Sequence, residues 1–364
     1  MFRILLTALL LWLPLSAWAF SVTFINPGTR LEPYWNDAAN GMRAAARSLG
    51  IELEVVYAGR DPLRQIELTR EVAGRPEERR PDYLLLSVEK GSFAEQMRIA
   101  ESAGVPVFLA YNGLRPEERA RHGAPREHFR ELLGSLIPVA ETAGRLTAEA
   151  LLEEARRRGL YGNDGKIHML AISGDRSTDS SIRRNRAMQA VVAANSDLVL
   201  DQIVHADWRR DLGKLKASLL FERYPQATLL WAGNDLIAFG AMEALREQGR
   251  TPGVDVLFSA INTSDEAMHR RIRGELTALA GGHFMAGGWS LVLLYDYHHG
   301  VDFADTEGVE MQRPMFTLFT PELARRYLDR FGEPVPDIDF TRYSRHLNPE
   351  RDGYSFDFKE LLEP

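Results

Sequence analysis

The chain has 364 residues, 45% of them hydrophobic and 26% charged, which is more than one compact core comfortably holds, so two domains are expected. Its net charge of -7, with Arg156, Arg157 and Arg158 balanced by Glu153 and Glu154, excludes a nucleic-acid binder, which needs a basic stripe. With zero cysteines, disulfides, thiol nucleophiles and thiolate metal sites are excluded as well.

The chain begins MFRILLTALLLWLPLSAWAF. Arg3 precedes an apolar run from Ile4 to Leu13, Pro14 breaks the run, and Ala17-Trp18-Ala19 supplies a small-x-small pattern. The run is too short to span a bilayer, so residues 1–19 are expected to be a secretory signal peptide cleaved after Ala19. A lipid anchor would need a cysteine at that site. The mature chain is therefore expected to be free in a bacterial periplasm.

From Val22 onward short apolar runs alternate with helical stretches. Strands are expected at VTFI, IELEVVY, DYLLLS and VPVFLAY, with helices ending near Gly50, over Leu63–Ala73 and over Ser92–Ala103. The runs are continuous, as in parallel strands covered on both faces, and repeated strand–helix units imply doubly wound sheets. Arg115–Arg130 is charged and reads as irregular. The pattern resumes with ELLGSLIP, a helix to Arg158, KIHMLAIS, a helix near Ile182–Ala194, LVLDQIV, a helix from about Asp211, and ATLLWA. A helix over Leu236–Gln248, VDVLFSAI, a helix near Asp265–Arg273 and LTALAGG complete a second set. The tail from Glu333 has aromatics but no period.

Ligands of open parallel sheets sit beyond the carboxyl ends of the strands, so the residues there carry the functional signal. Tyr34 and Trp35 follow the first strand, and an aromatic face stacks well on flat ligands or on the C–H faces of sugars. Ser87, Glu89 and Lys90 follow the third strand; Tyr111 and Asn112 follow the fourth. In the second set Asp175, Asp179, Arg183 and Arg184 surround a strand–helix turn, where one arginine could grip a carboxylate or vicinal hydroxyls. Trp208, Asn262 and His283 follow later strands. In WAGNDLIAFG the pair Asn234-Asp235 stands where a buried strand becomes a helix. Asp235 is expected to cap that helix, leaving the amide of Asn234 to hold a ligand.

Enzyme signatures are missing: the chain contains no G-x-S-x-G, no phosphate loop, no G-x-G-x-x-G after its first strand and no H-E-x-x-H. Adjacent His298 and His299 point apart on a helix, and His168 within a strand reads as structural. No catalysis, no cofactor and no metal is expected.

WAGNDLIAFGAMEAL is similar to the A-x-N-D-x-x-A-x-G-A-x-x-A-L of the type I periplasmic binding proteins, the ribose/galactose-binding and repressor-like family. EPYWNDAANGMRAAA resembles that family's aromatic-bearing first loop and helix, and RNRAM stands where it has R-x-x-G-F. The resemblance covers roughly Val22 to Phe319. It implies an α/β protein of two doubly wound parallel-sheet lobes joined by a three-strand hinge. On this reading residues 20–135 and 283–312 form the N-terminal lobe, 136–282 and 313–332 the C-terminal lobe, and 333–364 a tail packed on them. It further implies ligand contacts at Tyr34, Trp35, Ser87, Tyr111, Asn112, Arg184, Trp208, Asn234, Asn262 and His283 (or Gly282). With a signal peptide in front, the repressor branch is not expected.

The departures concern the ligand. Sugar binders of the family usually carry Asp-Arg where this chain has Tyr111-Asn112, and Asp where it has Asn262, so both carboxylates are replaced by neutral groups. Val139-Ala140 stand where many members carry Asp-Asn. The expected function is a monomeric solute-binding protein that closes on a small polar ligand, sugar or sugar-like, and delivers it to an ABC-type permease. Signalling to a membrane histidine kinase or cyclase is the alternative. A periplasmic hydrolase using Asp175, Asp179 or His283 stands third, without a turnover motif.

Overall fold

The computed structural model describes residues 20–332 and 336–362. The expected signal peptide and the residues around Glu333 lie outside the described residues.

Two six-stranded sheets carry the fold. The first is built from β1 (Ser21–Asn26), β2 (Glu52–Tyr57), β3 (Tyr83–Leu86), β4 (Val107–Ala110), β5 (Leu132–Pro138) and the late strand β11 (Glu310–Arg313), ordered β2-β1-β3-β4-β5-β11 and parallel throughout. The second holds β6 (Ile167–Ser173), β7 (Leu198–His205), β8 (Leu229–Ala232), β9 (Leu257–Ile261), β10 (Ala278–Gly281) and β12 (Thr317–Leu318), ordered β7-β6-β8-β9-β10-β12. Only β12 runs antiparallel, against β10. The five principal strands of each sheet have the same order, so the architecture is duplicated although the sequences are not.

The continuous apolar strands follow from helices on both sheet faces. In β3, Leu85 joins the cluster that includes Phe24 and Phe108, while Leu84 and Leu86 join the opposite cluster with Ile25 and Leu109. The period of two sends alternate residues to the two faces, and both faces are covered. In β8 the same rule sends Leu230 and Ala232 one way and Leu229 and Trp231 the other. The covering helices of the first lobe are α1 (Pro33–Leu49), α2 (Pro62–Ala73) and α3 (Phe93–Ala103). A short α4 (Pro116–His122) replaces part of the stretch read as irregular. Pro116 at its first turn, Glu118 bonded back to the Arg115 amide, and Gly123 at φ 75 just beyond give it ends that its charged composition concealed.

The second lobe is covered by α5 (Ala140–Arg158), α6 (Asp179–Ala194), α7 (Arg210–Arg223), α8 (Asp235–Glu247) and α9 (Asp265–Ile272). Helix α10 (Ala286–His298) returns to pack on α1, α11 (Ala304–Glu307) is one turn, and α12 (Pro321–Phe331) packs on α9. The chain thus crosses between sheets at residues 138–140, 281–286 and 313–317. The first crossing follows Pro138, so the strand expected to divide after Ser135 stays whole in the first sheet.

The tail is packed. Phe340, Tyr343, Tyr354, Phe356 and Phe358 are all buried. The carboxylate of Asp296 on α10 accepts bonds from the Ser344 hydroxyl, the Arg345 and His346 amides at 2.7 and 3.2 Å, and the Tyr354 hydroxyl at 2.7 Å. Residues without a period are thereby ordered by one buried acceptor.

Candidate functional site: a cleft between the two lobes

The carboxyl ends of both sheets face one cavity. It measures about 40 Å³, counted as the space the centre of a water molecule can reach, and residues from both lobes line it.

The first-lobe wall starts at Asn26, the last residue of β1. Its amide donates to the Trp35 carbonyl at 3.1 Å and its Oδ1 accepts the Gly28 amide at 2.9 Å, fixing the loop that presents Tyr34 and Trp35. Gly28 is required by close approach, since a Cβ there would stand 2.1 Å from the Trp35 ring. The Tyr34, Trp35 and Tyr111 rings then meet edge to face at 4.9 to 6.2 Å. Tyr111, at φ 71 beyond β4, donates to the Phe284 carbonyl at 3.3 Å. Asn112 donates to Ser87 Oγ and Glu89 Oε1 at 3.4 Å each. Its Oδ1 accepts the Ser180 amide of the other lobe at 3.3 Å. Ser87 does not line the cavity; its role is to hold Asn112 from behind.

Three charged residues complete this wall: Glu32, Arg60 and Glu89. Arg60 donates through Nε and Nη2 to Glu32, lies 3.6 Å from Glu89, and has its guanidinium 5.7 Å from the centre of the Trp35 ring. Burial pushes the Glu89 carboxyl up to about 7, against the field of Arg60. Glu32 and Glu89 thus bring to the cavity wall two carboxylates that Tyr111 and Asn262 do not carry. In the sequence Glu89 follows the third strand and Glu32 stands beside Tyr34 with nothing to mark either as a site residue. Arg60 follows β2, and the strand-end rule applies to it equally.

On the second-lobe wall Trp208 sits at φ 64 after Asp207 at φ 47, both in the left-handed region that side chains avoid. Its indole N–H donates to Asp175 Oδ2 at 2.6 Å, and Asp175 Oδ1 accepts the amides of Ser177 and Thr178 at 2.7 Å each. Burial alone would raise the Asp175 carboxyl; these bonds outweigh it and hold it below its ordinary range. Arg184 donates to the Gly233 carbonyl and to His283 Nε2, both at 3.0 Å, with the rings of Trp208 and Phe316 each 5.7 Å from its guanidinium carbon. Burial depresses Arg184 to about 10. Burial, then the field of Arg184, holds His283 neutral, and because Nε2 accepts, its proton sits on Nδ1. His283 is stacked between Tyr34 at 4.7 Å and Phe316 at 4.4 Å. Arg183, by contrast, faces Glu141, Asp179 and Gln312 in ion pairs and hydrogen bonds.

The assignment of the helix cap to Asp235 is corrected. Asn234 is the cap of α8, its Oδ1 accepting the Ile237 amide at 2.9 Å while its Nδ2 donates to the Trp208 carbonyl at 3.2 Å. Asp235 is the first helical residue and is buried. It accepts Asn262 Nδ2 at 2.8 Å, Ser264 Oγ at 2.5 Å and the Leu236 amide at 2.9 Å. The carboxylate serves a buried network because three donors converge on it, and a side chain one residue earlier reaches the helix amides better. Nine of the ten residues expected at a ligand line the cavity, Ser87 excepted, with Thr178, Ser180 and Phe316 in addition. Among the described residues no cluster of His, Asp or Glu could hold a metal ion, and no helix is long and apolar enough to cross a membrane.

Two parallel-sheet lobes, three crossings and a cavity walled by both lobes define a two-lobed binding protein. The chain belongs to the type I periplasmic binding proteins: the family described as "Periplasmic binding protein domain" matches residues 22–297. It is similar to a periplasmic sugar-binding protein of Pseudomonas fluorescens of known structure, 34% identical over 94% of this chain and 99% of that one, with a TM-score of 0.84. A xylitol-binding protein of Mycolicibacterium smegmatis is 25% identical over 49% of this chain and 47% of that protein. The transcriptional regulator CelR of Thermobifida fusca is 25% identical over 65% and 62%. This chain thus spans between about half and two thirds of the curated relatives it matches. A galactofuranose-binding protein, at 18% identity and a TM-score of 0.71, shares the fold.

Proposed function

We propose that this chain is a periplasmic solute-binding protein that closes its lobes on a small polyhydroxylated molecule, a sugar or a close relative, and presents the closed form to an ABC-type permease. The observation that carries this reading is the composition of the cavity wall. Aromatic rings from both lobes stand beside an Arg60–carboxylate network and the amides of Asn112, Asn234 and Asn262, the combination that takes C–H faces and hydroxyls together. The sugar-binding relative from Pseudomonas fluorescens, matched along nearly its whole length, supports it. Export through a signal peptide cleaved after Ala19 belongs to the same proposal, as does the lobe assignment of residues 20–332 with its first boundary moved to Pro138.

The test is thermal unfolding of the chain from Phe20 onward, refolded from denaturant to strip copurified solute, against a panel of sugars, polyols and sugar acids. A ligand at about 100 times its Kd adds roughly 2.7 kcal/mol to stability. A shift confined to one or a few related compounds, weakened by Trp208→Ala, supports the reading. Shifts with purines or amino acids and with no polyhydroxylated compound would overturn it.

A further inference from the structure

The cavity walls differ in charge, and the difference specifies the solute further; the inference rests on the solute-binding reading above. On the first-lobe wall Arg60 is held between two carboxylates, Glu32 and Glu89. On the second-lobe wall Arg184 is alone. It is 4% exposed, lines the cavity, and spends its Nη groups on a carbonyl and a neutral imidazole. Its Nε has no hydrogen-bond partner among the described residues, and neither has Nδ1 of His283, itself 4% exposed and lining the same cavity.

Among the described residues no carboxylate approaches the guanidinium within the 4.0 Å of an ion pair. Asp235, whose field does reach Arg184, is already occupied by Asn262, Ser264 and the Leu236 amide. Asp175 is engaged by Trp208, Ser177 and Thr178. A buried cation whose only direct partners are neutral is costly unless something completes it. The missing complement is an anionic acceptor, and the unpaired Nε–H of Arg184 and Nδ1–H of His283, both closed off in this structure, belong to two neighbouring residues of the cavity wall.

We propose that the solute is a polyhydroxylated monocarboxylate, an aldonate or a uronate, whose carboxylate is bound by Arg184 and the Nδ1–H of His283 and whose hydroxyls donate to Glu32 and Glu89. The opposite wall sets the limit on charge. A phosphate ester would bring a dianion to one uncommitted cation and face two carboxylates, and an amino sugar would leave Arg184 without its counter-ion.

The deciding experiment is calorimetric titration of the refolded chain with matched pairs: galacturonate against galactose, glucuronate against glucose, gluconate against glucitol and xylonate against xylitol. In at least one pair the acid is expected to bind about tenfold to a hundredfold more tightly than its neutral partner, the range of a charge-assisted hydrogen bond. Preference for the uronates identifies a ring form as the solute, and preference for the aldonates an open chain. Arg184→Gln is expected to abolish the gap by weakening the acid alone. A neutral partner that binds as tightly as its acid, or a variant that weakens both alike, overturns the proposal and leaves the solute-binding reading standing. Binding of no member by the folded protein overturns the proposal, and the solute-binding reading is then decided by the wider panel alone. Should the variant fail to fold, the wild-type pairs decide by themselves.

Discussion

Gly174 is the position where one methyl group should dismantle the second-lobe wall. A Cβ there would stand 2.3 Å from Cζ2 of Trp208 and 2.4 Å from two further indole carbons. No rotamer change of a methyl relieves such an overlap, so in Gly174→Ala the indole must leave its place and its 2.6 Å bond to Asp175 must break. Overpacking costs about 1–3 kcal/mol and loss of the charge-assisted bond about 1.5–3 kcal/mol. Against this, Asp207 and Trp208 can leave the left-handed region, where they stand at φ 47 and 64, and recover about 1–2 kcal/mol each. The loss of folding stability is therefore at most about 6 kcal/mol with the backbone unrelaxed, and at most about 4 kcal/mol if both residues relax. Solute affinity has no such compensation, because the displaced indole is the wall itself; a lost aromatic anchor costs about 2 kcal/mol or more, roughly thirtyfold in Kd. Urea unfolding followed by circular dichroism gives the first quantity, and calorimetric titration with the solute found in the panel gives the second. A Gly174→Ala protein that binds within about threefold of wild type would refute the placement of Trp208 at the solute.

Three further outcomes follow from the same geometry. The folded chain keeps the Glu89 proton up to about 7, whereas the ordinary value is 4.5, so stability contributed at this site falls as pH rises through that window. Glu89→Gln should flatten the fall in Tm between about pH 5 and 8, and an unchanged slope would count against a buried, strained carboxylate. Asn234→Ala should cost about 1 kcal/mol, the value of a helix cap, while Asp235→Ala strands three buried donors and should cost about 3 kcal/mol or more; the reverse order in urea unfolding would restore the cap to Asp235. Asp296→Ala removes the acceptor of four tail bonds and should cost about 3–5 kcal/mol, with residues 336–362 becoming the first site cut in limited proteolysis. A tail as protease-resistant as the wild type's would show that its aromatic packing suffices.

The sheets and their duplicated order were legible because strands buried on both faces write themselves as unbroken apolar runs, as LLWA and YLLL do. The cleft was legible for a related reason: topology alone sends the ends of parallel strands to one place, so Tyr34, Asn112, Arg184 and Trp208 could be collected from segments far apart in sequence. What the sequence concealed depends on directions that no period records. Arg60 reaches the cavity from φ 68, a backbone turn that its neighbours do not announce. Glu32 and Glu89 look like ordinary loop acids until Arg60 draws them together. Which of Asn234 and Asp235 caps α8 depends on Ser264 and Asn262, remote residues that claim the carboxylate. The order of the tail hangs on Asp296, whose helix gives no sign that one of its positions faces another segment rather than solvent.

If the lobes close on a solute as proposed, contact with it must become a position of the lobes, and His283 stands where the two lobes meet. The residue lies in the second crossing between lobes, directly after Gly282 at φ 114. Its ring is clasped by Tyr34 of the first lobe and by Phe316 of the third crossing, and its Nε2 accepts the second lobe's Arg184. On the proposed closure, rotation of the lobes about the crossings would slide these rings past one another and break the Arg184 bond. Among the described residues, direct bonds between the walls include Ser180 to Asn112 at 3.3 Å and Arg183 to Gln312 at 2.8 Å. On the proposed reading, a molecule that engages Arg184 and His283 would stabilise the arrangement in which the ring stack, the guanidinium and the opposite wall meet, so that solute binding and lobe position would share a single free energy. Phe358 of the tail packs against the same Gly282, close enough that a Cβ there would stand 2.4 Å from its ring. The tail thus touches the second crossing directly, one residue before His283.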